Sequence, residues 1–153
     1  MLLKRRSLVI VTVRELRGTD ITKDFLETLA SLAEVGLTPD RAQEIFRERL
    51  RRGIRGYVAL VDGRVVGSAS LLVEEKFIHD GGLSSHIEDV AVHRDFQKQG
   101  IGAHLVRFLV EEARRLGCYK VILNCREGNV AFYEKCGFRR HDVGMRIDLN
   151  SGG

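Results

Sequence analysis

Short runs of β-branched and apolar residues predict strands in the first half of the chain. The first run, Leu-Val-Ile-Val-Thr-Val-Arg, covers 8–14. Two more runs, 56–61 and 64–72, are joined by Asp62-Gly63, a dipeptide typical of two-residue hairpin turns. The pattern therefore predicts an antiparallel hairpin here.

Apolar residues at helical spacing predict two amphipathic helices between the first strand and the hairpin. We expect the first helix to begin after capping candidates at 19–20 and to end at Gly36. The second helix should begin at Thr38-Pro39 and run to about Arg52, since proline is favoured in the first helical turn.

The second half of the chain alternates predicted strands with predicted helices. A helix opened by Gly100 and ended by Gly117 has the clearest core-facing stripe of the sequence. No repeat and no Pro- or Ser-rich linker interrupts the pattern, so we expect one α/β domain over 1–153 with a mixed sheet. The remaining predicted elements are strands at 85–92, 118–123 and 145–149 and a short helix at 129–136.

Composition and charge narrow the class of protein. Hydrophobic residues make up 44% and charged residues 30% of 153, which is typical of a globular protein. The net charge of +4 is spread along the chain, and aromatic residues are only 7%, which argues against a nucleic-acid partner. A small anionic ligand fits this charge at least as well.

Three cysteines, Cys118, Cys125 and Cys136, match no zinc or redox spacing. We therefore expect no metal and no disulfide framework, and interpret the three as small buried side chains. The apolar run 8–13 is too short for a membrane span or a signal-peptide core. These observations favour the cytoplasm, without membrane association.

The glycine-containing segment before the clearest helix is the first candidate for chemistry. It reads Gln97-Lys98-Gln99-Gly100-Ile101-Gly102, in the order glutamine, two residues, glycine, one residue, glycine. Two glycines allow close backbone approach, and N–H groups at a helix N-terminus form an anion cradle suited to pyrophosphate. It is neither a Walker loop nor a dinucleotide fingerprint. An ordinary turn without a ligand is the alternative.

From Glu88 to Gly102 the chain resembles the acetyl-CoA-binding core of the GNAT N-acetyltransferase superfamily. Four segments, 76–79, 86–89, 117–123 and 129–138, resemble its glucosamine 6-phosphate N-acetyltransferases of amino-sugar nucleotide (UDP-GlcNAc) synthesis. The similarity spans about residues 74–138. It implies the GNAT (acyl-CoA N-acyltransferase) fold, in which helices flank a mixed, strongly bent sheet, and acetyl-CoA as co-substrate.

The resemblance also implies how the co-substrate is held. A bulge in the strand that ends at Val92 would expose backbone groups to the pantetheine arm and the thioester carbonyl. The glycine loop would hold the pyrophosphate, and the short helix would complete the site. The implied acetyl-CoA residues are Val90, Ala91, Val92, Gln97, Lys98, Gln99, Gly100, Ile101, Gly102, Asn129, Phe132 and Tyr133.

Three residues are the implied catalytic groups for direct attack of a bound amine on the thioester. Glu88 and Asp89 would assist loss of the ammonium proton, and Tyr133 would stabilise or protonate the departing thiolate. Without the resemblance, Glu88 and Asp89 could be an exposed pair in salt bridges, and Tyr133 a half-buried core residue. His86 and His93 are interpreted as structural or surface residues.

The implied acceptor is glucosamine 6-phosphate, with Lys76, Glu88, Asp89, Asn124 and Arg146 as substrate-binding candidates. Two positions depart from the family pattern. Asn124 stands where close relatives have aspartate, and Asp148 stands where an arginine of the last strand reaches the sugar phosphate from the partner subunit. Arg146, two residues earlier on the same strand face, could replace that arginine.

These departures leave alternatives open. The acceptor could be another amine, such as free glucosamine, a polyamine, or a protein N-terminus or lysine. A non-catalytic acyl-CoA-binding module is a further alternative, although retention of Glu88, Asp89, Asn129 and Tyr133 argues against it. The resemblance also implies a homodimer formed through the last strand.

Overall fold

The computed structural model describes residues 9–150. Within them, short 3₁₀ turns occupy Gly18–Asp20, Arg94–Phe96 and Glu127–Asn129. The strands are β1 (Thr12–Glu15), β2 (Arg55–Val61), β3 (Arg64–Glu75), β4 (Leu83–Val92) and β5 (Cys118–Ile122). The helices are α1 (Lys23–Ala30), α2 (Pro39–Arg51), the four-residue α3 (Ile78–Gly81), α4 (Ile101–Arg115) and α5 (Val130–Lys135).

The five strands form one mixed sheet in the order β1-β2-β3-β4-β5. The pairs β1–β2, β2–β3 and β3–β4 are antiparallel, and the pair β4–β5 is parallel. Between β2 and β3, Asp62 and Gly63 both have positive φ, 49° and 76°, as a two-residue hairpin with a type I′ turn requires. The predicted hairpin and the predicted mixed sheet are confirmed.

Helices cover both faces of the sheet because side chains alternate along each strand. Val58 of β2 packs in a cluster with Phe25 of α1 and Ala42 of α2. Its neighbour Ala59 packs in a second cluster with Ile101, the first residue of α4. The start of α4 is thereby fixed against the sheet.

The first helix is shorter than its pattern predicts, and its cap differs. Thr22 is the N-cap, and α1 ends at Ala30 rather than at Gly36. Asp20 does not cap α1, because both of its carboxylate oxygens accept hydrogen bonds from Arg14, at 2.7 and 2.8 Å. The second helix begins at Pro39 as predicted.

Two strand predictions fail in part or entirely. Position 8 lies outside the described residues, and β1 begins only at Thr12, which pairs with Leu60 near the end of β2. The predicted strand at 145–149 is wrong, since the described residues there form neither helix nor strand. A strand needs a hydrogen-bonded neighbour, and 145–149 has none within the described part of the chain.

The chain divides into two compact units, one ending at Leu123 and one beginning at Asn124. The sheet and α1 to α4 belong to the first unit, and α5 belongs to the second. A single domain over 1–153 stays a prediction. Within residues 9–150, no helix has both the length and the apolar character needed to cross a membrane.

Candidate active site

A β-bulge interrupts β4 at Asp89. Ser68 of β3 pairs with Ala91, but Ser70 pairs with Glu88, so Asp89 and Val90 together oppose a single residue of β3. Asp89 has a φ of 53°, in the left-handed region that residues other than glycine adopt rarely. The resemblance implied such a bulge, although no residue pattern located it.

The bulge coincides with a separation of β4 from β5. The two strands pair only where Leu83 to His86 of β4 lie beside Cys118 to Ile122. Among the described residues, 87–92 have no pairing partner on the β5 side. Except for Val92 O, which accepts a hydrogen bond from the Gln97 side chain, their backbone N–H and C=O groups on that side are therefore available to an extended ligand such as a pantetheine arm.

The loop after β4 has the backbone geometry expected of an anion cradle. Gly100, with a φ of 80°, is the N-cap of α4, and Lys98 also has a positive φ, 62°. The first hydrogen bond of the helix runs from His104 N to Gly100 O, so the preceding N–H groups have no acceptor within the helix. The first turn contains no acidic residue. The Gln97 amide donates to Val92 O at 3.2 Å and ties the loop to β4.

His93, between β4 and this loop, has the structural role that the sequence favours. Its side chain is buried, and its Nδ1 accepts a hydrogen bond from Asp95 N at 3.2 Å. Its Nε2 lies 3.4 Å from a carboxylate oxygen of Glu27 in α1. His93 thus anchors the start of the loop to the helical layer.

A cavity of about 340 Å³ lies between β3, β4, β5 and the end of α2. It brings together Lys76 and Glu88, two of the predicted substrate-binding residues. Three basic side chains that the sequence did not single out for the acceptor also line it, those of Arg52, His86 and Lys120, together with the carboxylate of Glu74. Sequence reasoning assigned none of these three to the acceptor, because they become neighbours only when β4 pairs with β5 and α2 ends beside them.

Lys76 is held in place by the turn that follows it. Its backbone N–H donates to Gly82 O at 2.9 Å, which closes the loop around α3. Its Nζ lies 2.8 Å from Glu74 Oε2, and this hydrogen bond raises the pKa of Lys76. A raised pKa keeps the side chain cationic at neutral pH, which suits an anionic ligand.

Gly82 fixes this turn against β5. The backbone of His79 in this turn has a positive φ, 55°. The centroid of the His79 ring lies 4.5 Å from that of the Tyr119 ring in β5. A Cβ at Gly82 would lie 3.0 Å both from the Tyr119 ring and from His79 O. The position therefore requires glycine, since a larger residue would displace backbone.

Asp89 does not line the 340 Å³ cavity that contains Glu88. It lines a smaller cavity of about 130 Å³ between the sheet and helices α1 and α2, together with Arg49 and Ser70. An Arg49 guanidinium nitrogen donates to the Ser70 hydroxyl. The bulge thus directs the adjacent carboxylates of Glu88 and Asp89 into different cavities. The sequence does not reveal this separation, because there the two residues are neighbours.

The second unit contains Tyr133 on α5. Its ring contacts Phe132 and Phe138 edge to face, with centroids 4.9 and 6.0 Å away. Burial raises the pKa of the Tyr133 hydroxyl, and the nearby Cys125 and Cys136 raise it further. The phenol therefore keeps its proton at neutral pH and can serve as a proton donor. Asn129 is the N-cap of α5 but makes no capping hydrogen bond through its side chain.

The segment after α5 places Arg146, a predicted phosphate ligand, beside Asp148. Its Nε donates to Asp148 Oδ1 at 2.8 Å, and both side chains are exposed. A role of Arg146 in phosphate binding stays a prediction.

The cysteines are less buried than expected. Cys125 is exposed, whereas Cys118 and Cys136 are half-buried, so the interpretation of the three as small buried side chains is wrong. Within residues 9–150, no group of three or more His, Cys, Asp or Glu side chains could hold a metal ion.

Comparison with known proteins agrees with this geometry. Residues 21–138 match the Acetyltransferase (GNAT) family. The glucosamine 6-phosphate N-acetyltransferase of Trypanosoma brucei brucei is 40% identical over 145 residues, covering 93% of this chain and 98% of that protein. The crystal structure of the Arabidopsis thaliana enzyme of that name superposes with a TM-score of 0.85 at 32% identity, covering 92% of this chain and 99% of the other.

A Trypanosoma brucei acetyltransferase crystal structure gives a TM-score of 0.84 at 40% identity, covering 92% of this chain and all of that one. The fold, the bulged strand and the loop before α4 thus occur in a chain that matches these proteins over nearly its whole length. The protein belongs to the GNAT family of acetyltransferases, which use acetyl-CoA as co-substrate.

Proposed function

We propose that the protein transfers the acetyl group of acetyl-CoA to the amine of glucosamine 6-phosphate, as in amino-sugar nucleotide synthesis. The supporting observation is the 340 Å³ cavity, which combines cations with the carboxylates of Glu74 and Glu88 beside the bulged strand. Lys76, Arg52 and Lys120 would attract the phosphate, and Glu88 would attract the ammonium group. Relatives named for this activity match the chain over most of its length.

The reaction forms an N–C bond between the amine and the acetyl carbon and breaks the C–S bond of the thioester. The unpaired backbone of β4 around Val90 to Val92 supplies donors for the carbonyl oxygen, where negative charge develops. One such donor contributes roughly 3 to 4 kcal/mol in comparable enzymes. Gln97 to Gly102 would hold the pyrophosphate through backbone N–H groups at the start of α4.

Phosphate recognition is tested by release of free CoA thiol with glucosamine 6-phosphate and with glucosamine. We expect a preference of about tenfold or more for the phosphosugar, equivalent to about 1.4 kcal/mol. Lys76→Met should reduce that preference, whereas Lys23→Met, at an exposed position of α1, should leave it unchanged. Equal rates with both sugars would favour an unphosphorylated acceptor, in line with the carboxylate at Asp148.

Tyr133 is the proposed donor of the proton that the departing thiolate takes up. Tyr133→Phe should lower kcat about 100-fold, the lower range for one acid catalyst, with little change in affinity for acetyl-CoA. Tyr57→Phe is the matched control, because the Tyr57 hydroxyl instead donates to Glu112 at 3.1 Å. An unchanged kcat in Tyr133→Phe would remove this residue from the mechanism.

The protein is proposed to be a homodimer. After residue 142, every second side chain is apolar. These apolar side chains are largely exposed: Val143, Met145, Ile147 and Leu149. This period of two is that of a strand without a neighbour, and a second copy could provide one. Light scattering should give a dimer mass for the wild type and a monomer mass for Ile147→Asp, with Asn150→Asp as the control. A monomeric wild type would refute the proposal.

A further inference from the structure

His86 has an unusual contact with Glu88 inside the 340 Å³ cavity. The two residues are two positions apart on β4, share one face of the strand and line the same cavity. His86 Nε2 lies 3.0 Å from Glu88 Oε1. This nitrogen is shielded from solvent, yet the contact lacks the geometry of a hydrogen bond, so the nitrogen has no hydrogen-bond partner.

The 3.0 Å separation fits a ring nitrogen that carries a proton. An unprotonated ring nitrogen facing a carboxylate oxygen at 3.0 Å would place two lone pairs against each other. A proton on Nε2 removes this repulsion and makes the ring a donor. Hydrogen bonds at active sites are often poorly aligned before substrate binds and become aligned in the complex.

The other charges of the cavity do not compete for Glu88. Lys76 is paired with Glu74, and Arg52 donates to Glu48 Oε1 at 2.7 Å. Lys120 Nζ lies 5.6 Å from the ring centroid of Tyr119. Over residues 9–150, the ion pair recorded for Glu88 is the one with His86. Its second oxygen is therefore available to an incoming ammonium group.

We propose that His86 is a positioning residue for Glu88, an inference that rests on the proposed function. In the substrate complex the Nε2–H group donates to Oε1 and orients the carboxylate, so that Oε2 faces the substrate ammonium. An N–H bond of the ammonium breaks, its electron pair stays on nitrogen, and the proton forms an O–H bond with Oε2. The neutral amine then attacks the thioester, and Glu88 releases the proton to solvent, to which its side chain is 48% exposed.

Turnover of substituted proteins tests this role. His86→Leu removes the donor, whereas His86→Gln places an amide N–H near the position of Nε2. We expect His86→Leu to lower kcat about 10- to 100-fold, up to the loss that a 1 Å misplacement of a catalytic group causes, with KM for acetyl-CoA unchanged. His86→Gln should restore most of kcat, and His141→Gln, at an exposed histidine, is the control. Equal losses in the Leu and Gln variants, or no loss in either, would overturn the proposal.

Imidazole ¹⁵N chemical shifts provide a second readout that needs neither turnover nor a substituted His86. In the wild type the His86 spectrum should show the proton on Nε2, and Glu88→Gln should shift that resonance. A spectrum with unprotonated Nε2, or one insensitive to Glu88→Gln, refutes the pairing. A wild type that does not acetylate glucosamine 6-phosphate but shows the expected spectrum refutes the proposed substrate and leaves the pairing supported.

Discussion

Gly100 and Gly117 bound the same helix and offer a matched test of the anion cradle. Both have positive φ, 80° and 86°, and a Cβ at either would meet no atom within 4 Å. Alanine at either position therefore adds backbone strain without a steric clash. The left-handed conformation costs a residue with a Cβ about 1 to 2 kcal/mol. Any gain from a less flexible unfolded chain applies equally to both variants.

The position of the alanine decides whether the strain reduces the stability of the protein or its affinity for CoA. In Gly117→Ala the strain lies at the C-terminal end of α4, away from the loop, and should reduce only the free energy of unfolding. In Gly100→Ala the loop can relieve strain by rotating the backbone that presents its N–H groups. Binding of CoA must then restore the original conformation. We expect Kd for CoA to rise about 5- to 30-fold, the equivalent of 1 to 2 kcal/mol.

Two measurements on each variant separate these effects. Urea denaturation gives the free energy of unfolding, and isothermal titration calorimetry gives Kd for CoA. Gly117→Ala should be less stable than the wild type with an unchanged Kd, and Gly100→Ala should bind more weakly with a smaller loss of stability. If both variants bind CoA as tightly as the wild type does, the left-handed residue at the start of α4 is not needed for the cradle.

Two further predictions concern stability. Asp20→Asn removes the carboxylate that accepts two hydrogen bonds from Arg14, so urea denaturation at neutral pH should show a loss of about 1.5 to 3 kcal/mol. The Arg14 hydrogen bond lowers the pKa of Asp20, so its stabilisation is present above the unfolded value near 3.9 and is lost as pH falls through the folded value. The difference from the wild type should therefore shrink below about pH 4, and a pH-independent difference would contradict this assignment. Leu105→Ala, at a fully buried position of α4, should lower the free energy of unfolding by about 3 to 5 kcal/mol in urea denaturation. Its control, Leu50→Ala at a site 51% exposed, should change that free energy by about 0.5 kcal/mol or less. Similar losses in the two variants would contradict the burial argument.

Local patterns were sufficient for most of the fold. The hairpin at Asp62-Gly63, the helix begun by Pro39 and the helix capped by Gly100 occur where the sequence predicts them. In each case one or two residues have a conformational preference that neighbouring residues do not oppose. The predicted strand at 145–149 failed because a strand also needs a partner, which the alternation of apolar residues does not provide.

The sequence by itself determined the α/β pattern, the glycine loop and the family, because turn residues, helical spacing and matched motifs are local properties of the chain. Only the tertiary structure located the bulge at Asp89 and so separated that carboxylate from Glu88. It also brought Arg52, His86 and Lys120 to one cavity from the end of α2, from β4 and from β5. The physical reason is that strand register and helix packing depend on contacts between residues far apart in sequence, and no local pattern encodes which charged side chains will share a cavity.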